Sequence, residues 1–166
     1  DQRHLEPAAR EAPHRIEFLL QHFPFAGDRA RGARQFAAGL GPVHAAMDHL
    51  FEGFPLGSHP MAILSALLNS LGCYYPHLAT NRVQEDLANL EEASAIAISK
   101  VRTIAAMSYR KSRGLPYIYP KRTLPYCENF LHMMFSQPYE DYVCTPEVAQ
   151  ALNLFLLLHA DHEQNC

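Results

Sequence analysis

The chain has no tryptophan, and only 19% of its 166 residues are charged. It also lacks an excess of positive charge: 14 basic residues stand against 17 acidic ones, for a net charge of −3. A nucleic-acid partner held by bulk electrostatics is therefore not expected. No apolar run approaches the roughly 20 residues of a membrane span, and the longest, Leu154–Leu158, sits between polar neighbours. The N-terminus, Asp1-Gln2-Arg3-His4, lacks the apolar stretch of a secretory signal. Four cysteines, Cys73, Cys127, Cys144 and Cys166, lie far apart without a CxxC pair. They read as reduced thiols in a cytoplasmic protein rather than as a disulfide framework. There is no GxSxG elbow and no glycine-rich phosphate loop, and Gly39-Leu40-Gly41 follows no strand pattern, so it is not a dinucleotide motif. No cysteine has a neighbouring histidine that would argue for a thiolate nucleophile. What is present is 48% hydrophobic residues and ten histidines. That is enough apolar material for the core of one domain, and far from the composition of a disordered chain.

The apolar spacing predicts helices throughout and no strand. A first helix is expected near residues 14–22 behind Pro13, and a second from a cap at Asp28 through Ala38. A third is expected from about Pro42 to Phe51, stopped by Gly53-Phe54-Pro55. Pro60 fits a first helical position behind Ser58 or His59, and Ile63, Leu64, Leu67, Leu68 and Leu71 follow at helical spacing until Tyr74-Tyr75-Pro76. Thr80-Asn81 opens one long expected stretch to about Arg113, with Leu87 and Leu90 starting a face. Ile96, Ile98, Val101, Ile104, Ala105 and Met107 continue it among alanines and serines. Small residues of that kind let helices approach closely. Arg110, Lys111 and Arg113 followed by Gly114 suit a helix exit, with cations at the negative dipole end. Leu115–Leu124, with Pro116 and Pro120, reads as an extended link. Thr123 is the expected cap of a helix through Phe135 with Pro125 in its first turn. Thr145-Pro146-Glu147 is a stronger start signal, and the helix it opens is apolar nearly all round from Leu152 to Leu158, which predicts deep burial. The architecture expected is an all-α multi-helix bundle.

The end of that last helix is the most informative place for chemistry. His159 and His162, three apart, share a face and meet Asp161, Glu163, Gln164 and Asn165 within one turn. Imidazoles and amides delivered on a fixed helix can hold a carboxylate or carbonyl oxygen. Two other readings stay open: a polar helix end turned to solvent, or a zinc site, although the spacing is not HExxH and no third ligand is specified. His59, ahead of Pro60 and Met61, reads first as a capping histidine. His132, beside Met133 and Met134, reads as a core or interface histidine. The other six, His4, His14, His22, His44, His49 and His77, are scattered and carry no assignment. Arg110-Lys111-Ser112-Arg113 and Lys121-Arg122 form a basic patch, read either as a solvated helix end or as a contact for anionic phosphates and carboxylates.

Four motifs, in order, resemble the citrate synthase family, bacterial type. They are Ser58-His59-Pro60-Met61-Ala62 after Phe51-Glu52-Gly53-Phe54, Arg110 through Pro120, Asn129 through Phe135, and Leu158-His159-Ala160-Asp161-His162-Glu163-Gln164-Asn165. The resemblance runs from about Leu50 to Asn165 and is weak from Asp1 to Gly41. It implies a divergent N-terminal helical segment, residues 1–41, and a partial large domain, residues 42–166, of an all-α two-domain subunit that works as a homodimer or a hexamer of dimers. The family condenses acetyl-CoA with oxaloacetate and hydrolyses citryl-CoA to citrate and CoA, in the tricarboxylic acid cycle. Acetyl-CoA is a substrate, and no cofactor or metal is implied. An Asp of the family removes a methyl proton, one His stabilises the enol and another polarises the oxaloacetate carbonyl, each within hydrogen-bond reach of the reacting atoms.

This sequence departs from the family at those groups. The His-Gly-Gly-Ala-Asn motif, the carbonyl His, the catalytic Asp and the substrate-binding arginines have no match in it. The strand-containing N-terminal segment and an NADH site have none either. No catalytic residue is therefore carried over. His162 is carried over as a substrate-binding residue, with His159 in support. Residues 59–71 and 91–113 resemble helices that pack across the family's dimer interface. The chain ends on its most polar cluster and reads as an enzyme fragment, inactive alone. The alternatives are a fragment of a 2-methylcitrate synthase acting on propionyl-CoA and a non-catalytic helical interaction module.

Overall fold

The computed structural model describes residue 43, residues 45–78 and residues 80–160. The two helices expected before residue 39 and the boundary at residues 41 and 42 lie outside the described residues, as do Pro42, His162 and Cys166. Among the described residues there are six α-helices: α1 (Ala45–Glu52), α2 (Pro60–Tyr74), α3 (Val83–Ala88), α4 (Leu90–Ser112), α5 (Tyr126–Phe135) and α6 (Pro146–Ala160). A 3₁₀ turn occupies Pro76–Leu78, and the sole extended pairing among the described residues is an isolated bridge between Gln137 and Glu140. The all-α expectation is met.

Helix α2 starts as its sequence dictates. His59 is extended at the cap, its Nδ1 accepts the Met61 N–H at 3.2 Å, and Pro60 fills the first helical position, where no N–H is needed. Ile63, Leu67 and Leu71 then recur every fourth residue on one buried face. They meet Met47 and Phe51 of α1, Val43, and Ile104 and Met107 of α4 in a single apolar cluster. Each such side chain taken out of water contributes about 1.5–3 kcal/mol. The Phe51 ring packs on Tyr117 of the link at 5.5 Å between centroids, which ties the α4–α5 connection to the core.

Helix α4 is the central element: it lies along α2 on one side and α5 on the other. Its exit follows the expected signal in detail. Gly114 adopts φ +66°, its N–H donates to the Lys111 carbonyl at 3.0 Å, and the Leu115 N–H reaches back to the Arg110 carbonyl at 2.9 Å. This is the paired capping pattern for which a glycine in the left-handed region is the cheapest choice.

Four expectations are corrected. The stretch from Thr80 to Arg113 is two helices broken at Asn89, whose side-chain amide donates to the His77 carbonyl at 2.9 Å. Ahead of the break, the Asp86 carboxylate takes both the Thr80 N–H and hydroxyl at 2.8 Å, and Asn81 turns to φ 60°, so the helix starts at Val83. Leu87 and Leu90 are exposed and do not begin a core face. Thr123 does not cap α5. Pro125 is its extended N-cap, with ψ 165°, and Asn129 instead grips the Lys121 backbone by accepting its N–H at 3.0 Å and donating to its carbonyl. Finally, α6 has no buried residue: its principal helix contact is α5, Leu152, Leu156 and Leu157 are half-buried, and Leu154, Phe155 and Leu158 are exposed.

Candidate functional site

Helix α6 brings its C-terminal end forward from a well-made start. Thr145 precedes Pro146, the Ala149 N–H donates to the Thr145 carbonyl at 3.1 Å, and Glu147 stands in the first turn. Hydrogen bonds from its own backbone N–H and from the Thr145 side chain hold the Glu147 carboxyl below its ordinary value, as suits an anion at the positive end of a helix. Four turns on, His159 is exposed. Its ring stacks on Phe155 at 4.2 Å between centroids, and its Nδ1 lies 2.8 Å from the Phe155 carbonyl. A carbonyl only accepts, so Nδ1 carries the proton of this bond and Nε2 is left for other partners. His159 is thus oriented by its own helix. His162 and the polar cluster from Asp161 on lie outside the described residues. Among the described residues no group of three or more metal-ligating side chains comes together.

The basic patch is only partly a surface, because Arg110 is withdrawn from it. Arg110 is fully buried. Its Nη1 donates to the carbonyls of Met134 at 2.8 Å, Ser136 at 2.9 Å and Met133 at 3.4 Å, and its Nε donates to the Pro116 carbonyl. Three of these acceptors are the carbonyls that the end of α5 leaves without helical partners. A guanidinium there satisfies them and meets the negative end of the helix dipole. Lys111 turns to the Glu52 carbonyl at 3.4 Å, Lys121 pairs with Asp141, and Arg113 and Arg122 are exposed. His132 is buried, as expected of a core histidine, and His59 is the cap described above.

Sequence reasoning misses the other polar residues buried on α4: a stripe through Ser99, Arg102 and Thr103, with Lys100 and Ser108 buried away from it. Arg102 lies over the Tyr126 ring at 4.7 Å, and the Tyr126 hydroxyl donates to the Ile98 carbonyl at 2.9 Å. Burial pushes Tyr126 up to about 12 and the Cys127 thiol up to about 11, in both cases against the pull of Arg102. Cys127 is therefore a packed thiol and no nucleophile. Burial, and then the nearby Arg102 charge, lowers Lys100; burial lowers Arg102 itself. The signal that could have found the stripe is the recurrence of Ala95, Ser99, Arg102, Ala106 and Arg110 at helical spacing, a face as regular as any apolar one. Cys73, Cys127 and Cys144 are free thiols, as expected. No helix among the described residues is long and apolar enough to cross a membrane.

Comparison with known proteins agrees with the residue pattern. The family model "Citrate synthase, C-terminal domain" matches residues 12–166. Citrate synthase 1 of Mycobacterium tuberculosis, strains CDC 1551 / Oshkosh and ATCC 25618 / H37Rv, is 41% identical over 124 residues, which is 75% of this chain and 28% of each relative. The crystal structure of citrate synthase from Pyrobaculum aerophilum superposes with a TM-score of 0.68 at 26% identity, over 89% of this chain and 37% of that one. The structure of citrate synthase from Thermotoga maritima MSB8 shares the fold, with a TM-score of 0.61 at 22% identity over 92% of this chain and 37% of that one. The chain thus spans little more than a quarter of the length of the curated relatives it matches.

Proposed function

Since this chain belongs to the citrate synthase family, we propose that it is the helical part of a citrate (Si)-synthase-type acyltransferase that condenses acetyl-CoA with oxaloacetate and releases citrate and CoA. The observation that carries the reading is the match over residues 12–166, which runs through α6 into the His159-Ala160-Asp161-His162-Glu163 end. The reaction removes a proton from the acetyl methyl group, joins that carbon to the oxaloacetate carbonyl, and hydrolyses the thioester. This chain's part is to hold oxaloacetate. In this reading His162 donates to an oxygen of the substrate, and His159, anchored to Phe155, supports it. The groups that move protons at the methyl carbon come from the rest of the protein, so the 166 residues alone bind incompletely and do not turn over.

The working protein is a cytoplasmic homodimer or larger homo-oligomer in this reading. Ala62, Ser65, Ala66, Asn69, Gly72 and Cys73 form an exposed, small-residue side of α2 that supports close packing of a second copy. The corresponding small face of α4 does not, because Ala95, Ser99, Thr103 and Ala106 are buried within the chain itself.

The test is thiol release from acetyl-CoA plus oxaloacetate, measured for the full-length gene product and for the 166-residue chain. Release by the full-length protein and none above background by the chain is expected. Turnover by the chain alone contradicts the division of labour, and faster release from propionyl-CoA than from acetyl-CoA contradicts the substrate.

A further inference from the structure

We propose that His132, Ser136, Asp141 and Lys121 form an acid-sensitive latch that fastens the turn leading from α5 into α6. The His132 ring is buried at the end of α5, and its Nδ1 lies 2.8 Å from the Ser136 hydroxyl and 3.6 Å from Asp141 Oδ1. The Tyr119 carbonyl of the link lies by the ring and favours a proton on it. With Nδ1 turned to Ser136, the Nε2–H tautomer satisfies both contacts. The Ser136 hydroxyl then donates to Nδ1, and its oxygen accepts the Tyr142 N–H at 2.9 Å. Gln137 and Glu140 close the turn through paired backbone bonds of 2.8 and 3.2 Å, and Asp141 reaches across to Lys121. One neutral imidazole thus joins α5, the link and the turn.

A second proton on the ring breaks this arrangement. Nδ1 becomes a donor, so the Ser136 hydroxyl hydrogen loses its acceptor in a buried place. The imidazolium then competes for the Asp141 carboxylate that Lys121 holds. The charged groups facing the ring are Lys121 from the link, Asp141 from the turn and Arg110 from α4. Burial, then Lys121, lowers the His132 value below its usual 6.5, with Arg110 adding a little; Asp141 and the Tyr119 carbonyl oppose them. The sign follows. A histidine whose folded value is depressed keeps its contribution above the ordinary histidine range and loses it as pH falls through the lower folded value. The latch is closed at neutral pH and opens in mild acid, freeing Tyr142 and the entry to α6.

The test is hydrogen exchange at the Tyr142 amide of the 166-residue chain, with the His132 ring followed by NMR. Between about pH 7.5 and pH 5 the Tyr142 protection factor is expected to drop by about tenfold or more, while amides of the α4 core keep theirs. Two surface variants move the transition in opposite directions. Asp141→Asn removes the charge that favours the imidazolium and shifts opening to lower pH, and Lys121→Gln removes the opposing charge and shifts it to higher pH, each by about half a unit or more. A residue that merely packed would give no such opposed pair. Constant Tyr142 protection across the range, loss of protection everywhere at once, or the same transition in both variants overturns the latch.

Discussion

Replacing Arg110 by methionine is expected to lower the unfolding free energy by roughly 3–5 kcal/mol, a large share of what a domain of this size has. The methionine keeps an unbranched apolar stem of similar reach but removes every donor. The carbonyls of Pro116, Met134 and Ser136 are then left without the guanidinium that serves them, in a place where Arg110 itself is fully buried. Orphaned buried acceptors cost about 1–3 kcal/mol each, and they do not add independently when they share one donor. Lysine does not rescue, because an ammonium cannot fork between the link on one side and the end of α5 on the other. Urea unfolding followed by circular dichroism reads both variants. A midpoint for Arg110→Met that gives less than about 0.5 kcal/mol of loss would show that packing, and not hydrogen bonding, is what Arg110 supplies.

The second large effect concerns α6. Leu154, Phe155 and Leu158 are 49%, 58% and 60% exposed, and Val148 and Ala151 continue the same side. Contiguous apolar surface of this kind is rare on soluble monomers, and each large side chain it could bury is worth about 1.5–3 kcal/mol. The isolated chain is therefore expected to self-associate at micromolar concentrations, and the double variant Phe155→Glu, Leu158→Glu to be largely monomeric with its helix content kept. Sedimentation velocity distinguishes the two. A monodisperse wild-type monomer at tens of micromolar contradicts the expectation, and so does equal association of the variant.

Much of this architecture is legible in the amino-acid sequence. The starts of α2 and α6 are written in His59-Pro60 and Thr145-Pro146-Glu147, and the exit of α4 in Gly114, because caps and first turns are settled by neighbours a few residues away. The misreadings share a cause: each depends on contacts distant in sequence. Arg110 looks like a solvated cation at a helix end until Pro116 and the last carbonyls of α5 are brought around it. Asn89 looks helical until His77 offers it a carbonyl. The run from Leu152 to Leu158 reads as a buried core, since apolar periodicity reports what a helix can bury and not what is present to cover it. The histidines divide the same way. His59 is explained by its own helix, whereas His132 needs Ser136, Tyr142 and Asp141 before it means more than a core residue. His159 and His162 stand out by spacing and motif, and the structure adds the fixed Nδ1 proton of the first.

The most direct measurement is the kinetics of His162→Ala in the full-length protein. If α6 exists to carry one wall of an oxaloacetate site, this substitution lowers kcat/KM for oxaloacetate by about 100-fold or more and leaves the KM for acetyl-CoA within about twofold. Unchanged kinetics toward oxaloacetate, or a loss confined to acetyl-CoA, would contradict that role for the end of α6.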